Sequence, residues 1–217
     1  MIGIVDYNAG NIKSVERALD CLKIEYVLSK NPADFKNCEK LIFPGVGDAA
    51  YAMKQLELTG LGSFLKDWAS SGKLILGICL GSQIIFDYSE EGQTECLGLV
   101  HGKIKHFDSV FKDSGKSENA SALKIPHMGW NNIRYVNGGC RLFNTIPENT
   151  NFYFVHSYII QPDDSSIIKG VADYGVEVPS CIQSKNIYAF QFHPEKSGAY
   201  GLRLLENFCT LKGETIC

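Results

Sequence analysis

An α/β fold with a mostly parallel central sheet, flanking helices and an antiparallel portion is what this sequence predicts, and three observations carry the prediction. Short apolar runs alternate with helical periodicity in the first half of the chain, the pattern of strands covered on both faces by helices. The later half is rich in aromatic and β-branched residues broken by Gly, Asn, Asp and Pro clusters, which predicts strands and hairpins. The length of 217 residues suits one domain with a good-sized core.

The elements follow in order. Ile2 to Val5 is an apolar run of strand length, and Ile12, Val15, Leu19 and Leu22 then recur at steps of three and four, as an amphipathic helix requires. Leu41-Ile42-Phe43 is a second buried strand stopped by Pro44-Gly45-Val46-Gly47, after which Leu61, Phe64, Leu65 and Trp68 mark a helical face. Leu74 to Ile78 is a third apolar run ending at Cys79, with helical character expected from Gln83 to Phe86. The mostly polar stretch 108–124 predicts a surface loop, and Phe152 to Ile160 and Ile187 to Phe192 predict strands. No repeat or linker interrupts the chain, so one domain over 1–217 is expected.

With 45% hydrophobic and 21% charged residues, the composition is that of a globular protein and excludes a disordered or fibrous chain. Basic residues number 21 against 24 acidic ones, a net charge of -3, so no global positive field draws nucleic acid or an anionic membrane as partner. No apolar run reaches membrane-spanning length and no basic segment precedes the opening apolar residues, so a soluble, cytoplasmic protein is expected. The eight cysteines include no C-x-x-C pair, and neither a metal nor another cofactor is expected. For most of them the plain expectation is a small buried hydrophobe.

Cys79 is different because it stands in Gly77-Ile78-Cys79-Leu80-Gly81, a G-x-C-x-G between a strand and a helical segment. At such an elbow the nucleophile is thrust out of a sharp turn, and flanking glycines are needed where side chains would clash. A thiol nucleophile needs a base oriented by a carboxylate. His193 follows the strand Tyr188 to Phe192, with Pro194 fixing the turn to Glu195. His156, within the aromatic run Phe154 to Tyr158, is the rival base but reads more readily as a core group, as does His127; His101 and His106 read as surface residues.

Gly-Ile-Cys-Leu-Gly at 77–81 with Gln83, paired with Phe-His-Pro-Glu at 192–195, resembles the class I, triad-type glutamine amidotransferases. Asp6-Tyr7 with Gly10-Asn11, Pro44 to Gly47, Pro126 to Asn131, Phe154 to Tyr158 and Phe190 to Gly198 narrow the resemblance, over nearly the whole chain, to glutaminase subunits of imidazole glycerol phosphate synthases. The resemblance implies a catalytic triad of Cys79, His193 and Glu195, an oxyanion hole from the N–H groups of Val46 and Leu80, and glutamine contacts at Gly45, Gly47, Gln83, His156, Ser157 and Tyr158. It implies a heterodimer with a (β/α)8 cyclase that receives the ammonia, with Asn11, Trp130, Tyr153 and Lys196 at the interface.

From the residues alone, Pro44 to Gly47 reads equally as a tight turn, Gln83 as an exposed helix residue and Trp130 as a core aromatic. Two departures from the family pattern, Ser82 for a usual Met and Asn8-Ala9 for Gly-Met, leave room for a paralogue that supplies ammonia for sugar amidation. A regulatory docking subunit of weak activity and a cysteine peptidase are the readings from other classes.

Overall fold

The structure, a computed structural model, describes residues 1–8, 12–116 and 123–211. Its main sheet has eight strands. In chain order its members are β1 (Ile2–Val5), β2 (Tyr26–Ser29), β3 (Lys40–Gly45), β4 (Leu74–Cys79), β9 (Arg134–Tyr135), β12 (Ile168–Asp173), β13 (Glu177–Ser184) and β14 (Ile187–Phe190). They lie side by side as β2-β1-β3-β4-β14-β13-β12-β9. The first five run parallel and the last three are added antiparallel, so the mixed sheet expected from the sequence is the one observed.

Alternation along these strands builds two cores. Ile42, Leu76, Ile78 and Phe190 face α1 (Ile12–Cys21) and the C-terminal helix Gly198–Thr210, meeting Val15, Leu19, Leu204 and Phe208. Leu41, Phe43, Ile75 and Ala189 face the other way, against α2 (Ala49–Thr59) and α3 (Leu61–Ser70) through Leu56, Leu65 and Trp68. Each such fully buried aliphatic side chain contributes about 1.5–3 kcal/mol. Both faces of the parallel strands are thereby covered, and the carboxyl ends of β3, β4 and β14 are left as the place where an α/β sheet takes its ligand.

Several sequence expectations need correction. Helix α2 was not expected; Asp48 caps it by accepting from the Tyr51 N–H, and Gly60 closes it in the left-handed region. The helix after Cys79 is a single turn, α4 (Leu80–Gln83). Ile84, Ile85 and Phe86 are apolar and buried all round, and their carbonyls accept from the N–H groups of residues 97–100 rather than from a continuing helix. The polar stretch from 108 begins inside α5 (Phe107–Asp113), held by buried Phe107 and Phe111 and capped by the His106 side chain; its residues 117–122 lie outside the described ones. The run Phe152 to Ile160 breaks at Ser157 into β10 (Asn151–His156) and β11 (Tyr158–Pro162).

The two halves of that run go to separate sheets. β10 pairs with β8 (His127–Asn132) as a two-stranded ribbon, and β11 joins a four-stranded sheet with β7 (Gly102–His106), β5 (Tyr88–Ser89) and β6 (Thr94–Glu95). The break between them turns His156 inward beside the carboxyl ends of the parallel strands. No helix of the described residues is long and apolar enough to cross a membrane.

Candidate active site

Cys79 ends β4 in a conformation few L-residues adopt, φ 54° and ψ -112°, a strain that the surroundings must over-determine. They do so by leaving no room on either side. A Cβ on Gly81 would overlap the Phe43 carbonyl oxygen, and one on Gly77 would come within 2.9 Å of the Gly81 oxygen. The hydroxyl of Ser82, fully buried, donates to the Cys79 carbonyl at 2.6 Å, so the serine that departs from the family pattern ties down the elbow. Because α4 has only one turn, its dipole offers the sulfur little; Leu80, as its first residue, has an N–H with no acceptor inside the helix.

His193 sits past the end of β14, the strand directly beside β4 and its terminal Cys79, in a turn built by its neighbours. Its N–H donates to the Tyr153 carbonyl at 2.9 Å, and the Ser197 hydroxyl donates to the His193 carbonyl at 2.6 Å while accepting from the Tyr153 N–H. The imidazole Nδ1 meets Glu195 Oε1 at 2.7 Å, with the two side chains only 1% and 3% exposed. A carboxylate acceptor on Nδ1 makes that nitrogen the protonated one, which leaves the Nε2 lone pair free as a base. Nε2 is buried and has no hydrogen-bond partner among the described residues, and the Cys79 thiol donates to the Val155 carbonyl at 3.9 Å. Burial alone would lower the His193 pKa, but the nearby Cys79 sulfur and the Glu195 carboxylate outweigh it and push it up to about 9.

Both Cys79 and His193 open onto one cleft of about 290 Å³, near the small end of ligand sites. Val46, Gly47, Leu80, Gln83, His156, Ser157 and Tyr158 line it. Gly45 lies just behind, paired with Cys79 across β3 and β4. Gln83 is buried rather than exposed; its amide nitrogen donates to the Tyr158 carbonyl and to Gln191 Oε1 at 3.2 and 2.9 Å, which leaves its carbonyl oxygen for a ligand. His156 is a satisfied core group. Its Nδ1–H donates to the Tyr158 carbonyl at 2.7 Å and its Nε2 accepts from His127 Nδ1 at 3.0 Å, while burial drives its pKa down to about 3.

Glu91 was missed by sequence reasoning, because Ser89-Glu90-Glu91-Gly92 has the look of an exposed turn. It lines the cleft, its Oε2 accepts from the Ala49 N–H at 2.9 Å, and burial raises its pKa. Trp130, 59% exposed, is no core aromatic; it faces Tyr153 across the ribbon with ring centroids 6.1 Å apart. Lys196 follows Glu195 in the same turn. Asn11, with Ala9, lies outside the described residues. A larger cleft of about 810 Å³ elsewhere has only exposed ionisable residues, Lys66, His101, Asp163, Asp164 and Lys185.

Comparison with known proteins agrees with this geometry. Residues 3–211 match the family "Glutamine amidotransferase class-I". The chain is 42% identical over 212 residues, 97% of each chain, to "Imidazole glycerol phosphate synthase subunit HisH" of Geobacillus sp. (strain WCH70). It is 44% identical over 208 residues to the protein of that name from Nitratidesulfovibrio vulgaris (strain DSM 19637 / Miyazaki F), covering 96% of this chain and 95% of that one. Among solved structures, a "Crystal structure of glutamine amidotransferase" superimposes with a TM-score of 0.70 at 16% identity, covering 95% and 97% of the two chains, a likeness of fold. A nucleophile elbow, a buried imidazole–carboxylate pair and full-length identity above 40% converge: the chain belongs to the class I glutamine amidotransferases and, within them, to the HisH glutaminase subunits of imidazole glycerol phosphate synthase.

Proposed function

We propose that this chain hydrolyses L-glutamine to glutamate and ammonia through a thioester on Cys79, and delivers the ammonia to a (β/α)8 cyclase subunit that makes imidazole glycerol phosphate and an aminoimidazole-carboxamide ribotide in histidine biosynthesis. What carries the reading is the free Nε2 of His193, buried, oriented by Glu195 and opening onto the same cleft as the sulfur at the elbow. Cys79 attacks the side-chain amide carbon of glutamine with His193 holding the proton that the sulfur gives up, as the raised pKa of the ring favours. The imidazolium passes that proton to the leaving ammonia, and the neutral ring then removes one from the water that cleaves the thioester and holds it for the departing sulfur. Glu195 holds the ring in the working tautomer and stabilises its charged form.

The N–H groups of Leu80 and Val46 bind the oxyanion of each tetrahedral intermediate. Gly45, Gly47, Gln83, Ser157 and Tyr158 seat the amino acid, and Glu91 offers a carboxylate to its α-ammonium group. Exposed Trp130 and Met128, with Tyr153 facing Trp130 across the ribbon, suit a docking face to which Lys196 is also assigned. Ammonia freed into neutral water is protonated and lost as a nucleophile, which is why a collecting partner is needed. Glutamate release, measured with and without the cyclase subunit, tests the reading: turnover should be present in the complex and absent from Cys79→Ala, which still docks. Normal turnover in that variant sinks the assignment.

A further inference from the structure

Tyr7 is 1% exposed, its ring tilted on Phe43 at 5.1 Å between centroids, yet its hydroxyl has no hydrogen-bond partner among the described residues. A buried hydroxyl left unsatisfied is unfavourable, and a phenylalanine would pack as well without that cost. The hydroxyl lies at the edge of the reactive centre. A Cβ on Gly45 would overlap it, Gly45 pairs with Cys79, and burial together with the nearby Cys79 sulfur raises the phenol's pKa, so the group is a neutral donor.

Strand order decides what that donor can reach. β3 lies between β4, which carries Cys79, and β1, which leads into Tyr7. A trans peptide points its N–H and C=O to opposite sides. When the Val46 N–H faces the sulfur on the β4 side, the Gly45 carbonyl of the same peptide is turned away from the sulfur, and the Tyr7 hydroxyl lies over Gly45 where its Cβ would be. The unpartnered hydroxyl shows that this carbonyl is not bonded to it in the structure. Gly45 and Gly47, the latter at φ 100°, flank the peptide and let it turn.

We propose that Tyr7 is a positioning residue: its hydroxyl donates to the Gly45 carbonyl when the Gly45–Val46 peptide turns to present its N–H to the oxyanion. The proposal rests on the glutaminase reading above. The bond forms only in the arrangement that stabilises the tetrahedral intermediate, so it favours the transition state over bound glutamine. Its loss belongs in kcat.

Tyr7→Phe tests this, compared with the unaltered chain, each bound to the cyclase subunit. Expected is a fall in kcat for glutamine of about tenfold, with KM changed by less than about twofold. The melting midpoint should hold or rise, and iodoacetamide should alkylate Cys79, followed by peptide mapping, at an unchanged rate, since that reaction needs no oxyanion hole. A kcat equal to that of the unaltered chain overturns the proposal while the glutaminase reading stands. A reduced kcat with a lowered midpoint or slowed alkylation also overturns it, because the hydroxyl then serves packing. No glutamine turnover in the unaltered complex overturns both readings.

Discussion

The Nδ1 of His193 donates to a carboxylate 2.7 Å away in a site almost closed to water, and that one bond selects which nitrogen can act as base. Glu195→Gln keeps the shape but offers either an amide oxygen or an amide N–H to Nδ1, so the working tautomer and the charged imidazole both lose support. The expected cost is about 100- to 10,000-fold in kcat with KM little changed, against complete loss for Cys79→Ala. Steady-state glutamate release for the two variants checks it; an unimpaired Glu195→Gln would mean the carboxylate orients nothing. The sulfur, the imidazole and the carboxylate were legible in the sequence because each sits in a local pattern with a steric reason: glycines around Cys79, proline after His193. Glu91 was not legible. What makes it a cleft residue is the Ala49 N–H that it accepts, supplied by a helix start 42 residues away, and no local pattern encodes that.

At the scale of elements, the parallel strands could be read because burial on both faces leaves continuous apolar runs. α2 was overlooked and α4 overextended because in both the pattern is blurred: α2 buries two alanines while Tyr51 and Leu58 are exposed, and Ile84-Ile85-Phe86 is buried all round with its carbonyls taken by residues 97–100. The elbow between β4 and α4 is the element on which the site depends, and its tightest contact is Gly81 against the Phe43 carbonyl oxygen. Backbone there cannot yield as a flexible side chain would. Gly81→Ala must push β4 and β3 apart or unseat the elbow, and a destabilisation of about 3 kcal/mol or more is expected, with activity lost even in the protein that folds. Urea denaturation beside a glutaminase assay would show it, and a variant of normal stability and turnover would mean the close approach is not what positions Cys79. Gly47→Ala makes the contrast: none of the described residues stands within 4 Å of its Cβ, so its positive φ is what resists the change.

For the whole molecule, three buried imidazoles shape the dependence of stability on pH, and they act in opposite directions. His127, stacked between Phe154 and Tyr174 at 4.7 and 4.0 Å, and His156 are kept neutral mainly by burial, with pKa values lowered to about 4 and about 3. The unfolded chain takes up protons at both sites below about pH 6.5, where the folded chain does not. Stability is therefore present above that pH and lost as pH falls through about 4 and then 3, by a few kcal/mol for each ring at about 1.4 kcal/mol for each pKa unit. His193 behaves in the reverse sense. Raised to about 9, it holds in the folded state a proton the unfolded chain has released, so its contribution is full below about pH 6.5 and gone above about 9. The joint contribution of the three peaks near pH 6.5, between the two windows. Thermal midpoints measured from pH 4 to 9.5 should fall on both sides of that value. His193→Asn should flatten the alkaline limb and spare the acid one. His127→Phe should flatten the acid limb, yet start from a lower midpoint at neutrality, because His156 Nε2 loses the donor it now has at 3.0 Å. An acid limb equally steep in His127→Phe would show that the carboxylates, and not this neutral pair, set the acid boundary of the fold.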